Sequence, residues 1–95
     1  MSEKKTARLH AIVHGEVQGV NFRTTTQREA ADLNLTGWVR NLWDGTVETV
    51  AEGSSSALEK FEAYLHRGPS AAYVESVDVT YGEATGEFRA FNIRF

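Results

Sequence analysis

The 95-residue chain has no cysteine, one proline and one methionine. Without cysteine there is no disulfide framework, no thiolate nucleophile and no zinc ribbon. No apolar run is long enough to span a bilayer, so no membrane contact is expected. An excess of basic residues is also missing: ten Lys and Arg stand against thirteen Asp and Glu, a net charge of −3. Nucleic acid is therefore not the expected partner, because the basic footprint that binds phosphate backbones is absent. The opening MSEKKTAR is charged and runs directly into a short alternating segment. It reads as a brief tail over residues 1–6 of a single domain spanning 1–95, and not as a signal peptide. The expected compartment is the cytoplasm, and the expected state is a monomer.

What is present organises around His14 to Arg23, HGEVQGVNFR. Leu9, Ala11 and Val13 alternate into it as one face of a strand over residues 7–14, with Arg8, His10 and Ile12 on the other. His10 and His14 are expected to be solvated. A helical stripe of Phe22, Thr26, Ala30 and Leu33 follows. Gly15 and Gly19 lie between, where a chain turning from strand to helix needs φ > 0. Such a turn aims backbone N–H groups and the positive end of the helix dipole at one point, which makes an anion cradle. Asn21 suits the N-cap, its side chain accepting from the first turn. Arg23 then opposes the helix dipole, at a cost of roughly 0.3–1 kcal/mol. A guanidinium fork on a bound phosphate would repay that cost. An ordinary surface arginine whose stem covers apolar neighbours is the other reading.

Residues 35–41 and 46–53 read as two strands around Leu42-Trp43-Asp44-Gly45, Asp-Gly being a strong hairpin signal. Val47, Thr49 and Ala51 share one face of the second. Asn34 suits a left-handed helix end. Ser56 with Glu59 forms a capping box that opens a second helix, with Leu58, Phe61 and Leu65 buried and Gly68-Pro69 as its stop. Val77, Val79 and Tyr81 mark another strand, and Phe91, Ile93 and Phe95 a last one. The order β-α-β-β-α-β plus a closing strand gives an α+β, ferredoxin-like split β-α-β sandwich, its sheet mainly antiparallel and both helices on one face. In that plan strands one and two run parallel, so the 15–21 loop and Asn41 share an edge. Asn41 can grip a water through its amide, or bond its own hairpin backbone.

Two stretches, V-x-G-x-V-Q-G-V-x-F-R at 13–23 and G-W-V-R-N-x-x-x-G-x-V-x-x-x-x-x-G at 37–53, together resemble both signatures of the acylphosphatase family. The likeness extends to Gly68-Pro69 and to Phe91-Asn92-Ile93-Arg94. Departures are small: Asn34 where members often carry glycine, Thr49 at a core position, and Leu42 after the asparagine. The resemblance implies hydrolysis of the carboxyl–phosphate bond of acyl phosphates to a carboxylate and inorganic phosphate. It implies that Arg23 binds phosphate with the backbone N–H groups of Gly15, Glu16, Val17, Gln18, Gly19 and Val20. It also implies that Asn41 positions the attacking water, with no metal and no cofactor. Inorganic phosphate or sulfate would compete for the cradle. No specificity pocket for the acyl group is evident in the sequence, so broad tolerance is expected. A module that senses a phosphorylated ligand without turnover, and an open-sheet nucleic-acid binder, are the rival readings. Intact Arg23 and Asn41 oppose the first, and the charge balance with Glu48 and Glu52 opposes the second.

Overall fold

A computed structural model describes residues 6–95. The elements are β1 (Thr6–Glu16), α1 (Phe22–Asp32), β2 (Thr36–Asn41), β3 (Val47–Ser54), α2 (Ser55–Arg67), β4 (Tyr73–Gly82) and β5 (Phe91–Arg94). Of the tail expected over residues 1–6, residues 1–5 lie outside the described residues and Thr6 opens β1. The strands form one sheet in the order β4-β1-β3-β2-β5. Every neighbouring pair is antiparallel except β2 with β5. This is the ferredoxin-like α+β plan that the alternation of the sequence implies.

The period-2 pattern decides which sheet face is buried. Leu9, Ala11 and Val13 of β1 and Val47, Thr49 and Ala51 of β3 are fully buried. They meet Phe22 and Ala30 of α1 and Leu58, Phe61 and Leu65 of α2, so both helices cover one face. Thr49 is a polar group in this core, and its hydroxyl donates to the Trp38 carbonyl at 2.7 Å. The helices are tied to each other by a buried bond of 3.0 Å between the Thr26 and Tyr64 hydroxyls.

The opposite face is closed by ion pairs rather than by helices. Glu48 meets His10 at 2.7 Å and Arg40 at 2.8 Å, and Glu52 meets Arg8 at 3.2 Å. Glu52 also accepts from the N–H groups of Thr85 and Gly86 at 2.9 and 3.0 Å, pinning the 82–90 connection across the sheet. Burial alone would raise the Glu52 pKa, but these bonds and Arg8 hold it below its ordinary value. His10 and His14 are not free side chains in water: His14 is 2.9 Å from Asp78.

Two helix starts differ from expectation. The second helix is capped by Ser54, whose hydroxyl accepts from the Ala57 N–H at 3.2 Å, and not by a Ser56–Glu59 box. β3 runs without a loop into α2, so the cap falls on the last strand residue. Asn21 occupies the N-cap of α1, but it is left-handed (φ 63°) and its side chain makes no capping bond. The final strand stops at Arg94, leaving Phe95 exposed.

Candidate active site

Register brings the two unusual stretches together. Val13 of β1 and Asn41 of β2 both pair with Val47 of β3, so they share one rung. Two strand spacings, about 9.5 Å, separate them. The segment after β1 and the end of β2 therefore open on the same sheet edge. There a cleft of about 190 Å³ is lined by Val17, Gly19, Asn21, Phe22, Arg23, Thr24 and Asn41.

The cleft floor is a helix start with free donors. The first bond of α1 runs from the Thr25 N–H to the Asn21 carbonyl at 3.0 Å. The N–H groups of Phe22, Arg23 and Thr24 precede that bond and have no partner within the helix. Asn21 does not cap them, and the first turn carries no acidic residue. Gly19 (φ 78°) makes the reversal into the helix. Three donors, the helix dipole and a guanidinium thus converge on a cleft that contains no carboxylate.

Arg23 is half-buried. Its guanidinium carbon lies 4.8 Å from the centre of the Phe95 ring. The aromatic face supports the cation. Across the cleft, the Asn41 side-chain oxygen Oδ1 is buried and has no hydrogen-bond partner among the described residues. A buried acceptor without a donor costs about 1–3 kcal/mol, so its retention calls for a reason.

Of the six loop residues expected to bind phosphate through the backbone, Val17 and Gly19 line the cleft. Gly15 and Glu16 are instead the last residues of β1, paired with Val74 and Tyr73 of β4 across a bulge. A Cβ at Gly15 would collide with the Tyr73 carbonyl, so that glycine serves close packing against β4. Val20 packs against the core. Gln18 turns its side chain away to the hairpin, donating to the carbonyls of Leu42 at 2.6 Å and Thr46 at 2.9 Å. That brace between cradle and hairpin is absent from the sequence reading, as is the Phe95 stack. Both depend on contacts far apart in the chain, and only the terminal alternation of Phe91, Ile93 and Phe95 hints at one of them. Asp44 secures the hairpin by accepting from the Thr46 hydroxyl at 2.7 Å and the Thr46 N–H at 3.0 Å, bonds that lower its pKa. Among the described residues, no three His, Asp or Glu side chains are grouped to hold a metal ion.

A donor-rich cleft with no carboxylate in its lining, on one edge of a ferredoxin-like sheet, is suited to a small phosphate-like anion. Comparison with known proteins makes the class specific. The model of the acylphosphatase family matches residues 9–93. Acylphosphatase of Roseiflexus sp. is 49% identical over 87 residues, covering 92% of this chain and 94% of that protein. Acylphosphatase of Deinococcus radiodurans is 50% identical over 86 residues, covering 90% and 98% respectively. The crystal structure of acylphosphatase from Bacillus subtilis superposes with a TM-score of 0.90 at 37% identity, covering 94% of this chain and 99% of that one. The chain belongs to the acylphosphatase family, and it is an enzyme that hydrolyses acyl phosphates.

Proposed function

We propose that Arg23 and the free N–H groups around the start of α1 hold the phosphoryl group, while Asn41 positions the water that attacks it. The observation that carries this reading is that Asn41, whose buried Oδ1 has no partner among the described residues, lines the same cleft as Arg23. An amide oxygen accepts a hydrogen bond, so it can take one proton of a water and turn its lone pair toward phosphorus. The leaving group is a carboxylate whose conjugate acid has a pKa near ~4, and it departs without a general acid. Phosphoryl transfer through a loose transition state makes little demand on a strong base, so positioning and charge stabilisation carry the rate. Attack forms the new P–O bond as the bond to the carboxylate oxygen breaks. The proton lost by water passes to a phosphate oxygen, which explains a site with no histidine or carboxylate in its lining.

On this reading the enzyme works as a monomer in the cytoplasm without a metal. No helix among the described residues is long and apolar enough to cross a membrane. The test is Asn41→Ala. Turnover falls about a hundredfold or more, because an interaction aimed at the reacting atoms is lost. The inhibition constant of inorganic phosphate stays within a few-fold, since ground-state binding rests on other groups. If phosphate binding collapses together with turnover in a folded variant, Asn41 belongs to the anion cradle and the water-positioning role is wrong.

A further inference from the structure

After Phe22 and Arg23, α1 continues with three consecutive threonines, Thr24, Thr25 and Thr26. Threonine is a poor helix former, so such a run asks for a reason at each position. Thr26 has one in the core, where its hydroxyl meets that of Tyr64 at 3.0 Å. Thr25 gives its N–H to the first bond of the helix and lines no part of the phosphate cleft. Thr24 is exposed, lines the cleft beside Arg23, and has a hydroxyl without a hydrogen-bond partner among the described residues.

A threonine hydroxyl in a helix can bond back to a carbonyl three or four residues earlier. Thr24 makes no such bond, so its hydroxyl is free to serve something outside the helix. Its place in the helix says where that is. Helical Cβ atoms tilt toward the N-terminus, and a side chain covers the turn before its own Cα. For Thr24 that turn holds left-handed Asn21 and the free N–H groups of Phe22 and Arg23, which are the floor of the cleft. Backbone N–H groups point in fixed directions, and a guanidinium is a rigid fork. A hydroxyl rotates, so it can donate to whichever phosphoryl oxygen the fixed donors leave over.

We propose that the Thr24 hydroxyl is a further ligand of the phosphoryl group, donating to one of its oxygens beside Arg23 and the first-turn N–H groups. The inference rests on the assignment of phosphate to this cleft, and adds to it a residue outside the 15–20 loop. The phosphoryl oxygens are anionic in the acyl phosphate, in the transition state and in the product. A bond to one of them is therefore uniform binding, which lowers KM and leaves kcat nearly unchanged.

The test is Thr24→Val, which keeps the shape and branching and removes only the hydroxyl, with Thr24→Ser to restore it. In the Val variant KM for acetyl phosphate and the inhibition constant of inorganic phosphate both rise about fivefold, equivalent to about 1 kcal/mol. Its kcat stays within about twofold of the parent, and its urea midpoint is not lowered, because the site is exposed. The Ser variant stays within about twofold of the parent in all these quantities. An unchanged inhibition constant in Thr24→Val overturns the proposal. So does a Ser variant as weak as the Val one, since the hydroxyl would then not be the group that matters. A loss of kcat with phosphate binding intact, or a lowered urea midpoint, overturns it too, pointing to the chemistry or to the fold. Failure of the phosphate assignment itself is recognised separately, by phosphate inhibition that is indifferent to Arg23→Ala.

Discussion

Replacing Gln18 tests whether the cradle and the hairpin work as one unit. The side-chain amide donates both its protons to carbonyls of the hairpin, Leu42 at 2.6 Å and Thr46 at 2.9 Å. Those acceptors also fix the amide's orientation, because an oxygen in that place would face two oxygens. Each neutral bond contributes about 0.5–1.5 kcal/mol net, so Gln18→Ala costs about 1–3 kcal/mol of stability. Gln18→Glu is nearly isosteric and is worse, since it turns a carboxylate toward two carbonyl oxygens. The kinetic effect is larger than the stability effect suggests. Gln18 sits between Val17 and Gly19 of the phosphate cleft, and Leu42 follows Asn41. Loosening the brace lets the anion site drift relative to Asn41, and a misplacement of about 1 Å can cost about a hundredfold in rate. Urea unfolding gives the first quantity as a lowered midpoint at constant slope. Acetyl phosphate hydrolysis well below the transition gives the second. An Ala variant within about 0.3 kcal/mol of the parent and with unchanged kcat would refute the brace.

Arg23→Lys is nearly as damaging as Arg23→Ala, lowering kcat/KM by about 10²–10⁴, because a point charge replaces a planar fork. Steady-state kinetics decide it, and near-normal rates in the Lys variant would show that charge alone suffices. Sulfate and phosphate inhibit competitively, while a chelator leaves the rate unchanged; activity lost in EDTA and restored by a divalent ion would sink the metal-free mechanism. Glu52→Gln destabilises the protein by about 2–3 kcal/mol at neutral pH, since a buried carboxylate holding charge-assisted bonds is lost. The folded pKa of Glu52 lies below its ordinary value of 4.5, so its contribution is present above that pH and is lost as pH falls through the folded pKa. Chemical denaturation of the parent and the variant across that range should therefore converge in acid, and a gap independent of pH would contradict the assignment.

Burial of strand faces was legible because alternation is local. Leu9, Ala11 and Val13, and Val47, Thr49 and Ala51, are the residues the helices cover. The shared edge of the loop and Asn41 followed from strand direction alone, and the common rung at Val47 agrees with it. Caps were less legible, because where a helix begins depends on where the preceding element releases the chain. Ser54 ends a strand and caps a helix at once, a role that its own spacing does not reveal. The early start of β4 at Tyr73 was hidden for another reason: an edge strand exposes most of its residues and shows little periodicity. Gln18 and Phe95 were out of reach, since their partners lie in distant segments and no local rule links them.

The start of α1 is poorly built as a helix. Its N-cap is a left-handed asparagine without a capping bond, an arginine replaces the favourable acid, and three threonines follow. Each of these choices would ordinarily be repaired by stability-improving substitution. Here repair would be self-defeating. A capping serine or aspartate, or an acid in the first turn, would occupy the free donors with an anion or hydroxyl of the protein's own. Such a variant would melt at a higher temperature and bind phosphate more weakly, acting as an enzyme with a tethered inhibitor. If the proposed cradle holds the phosphoryl group, a more stable clone with a better first turn should show weaker inhibition by phosphate, which a screen can read directly.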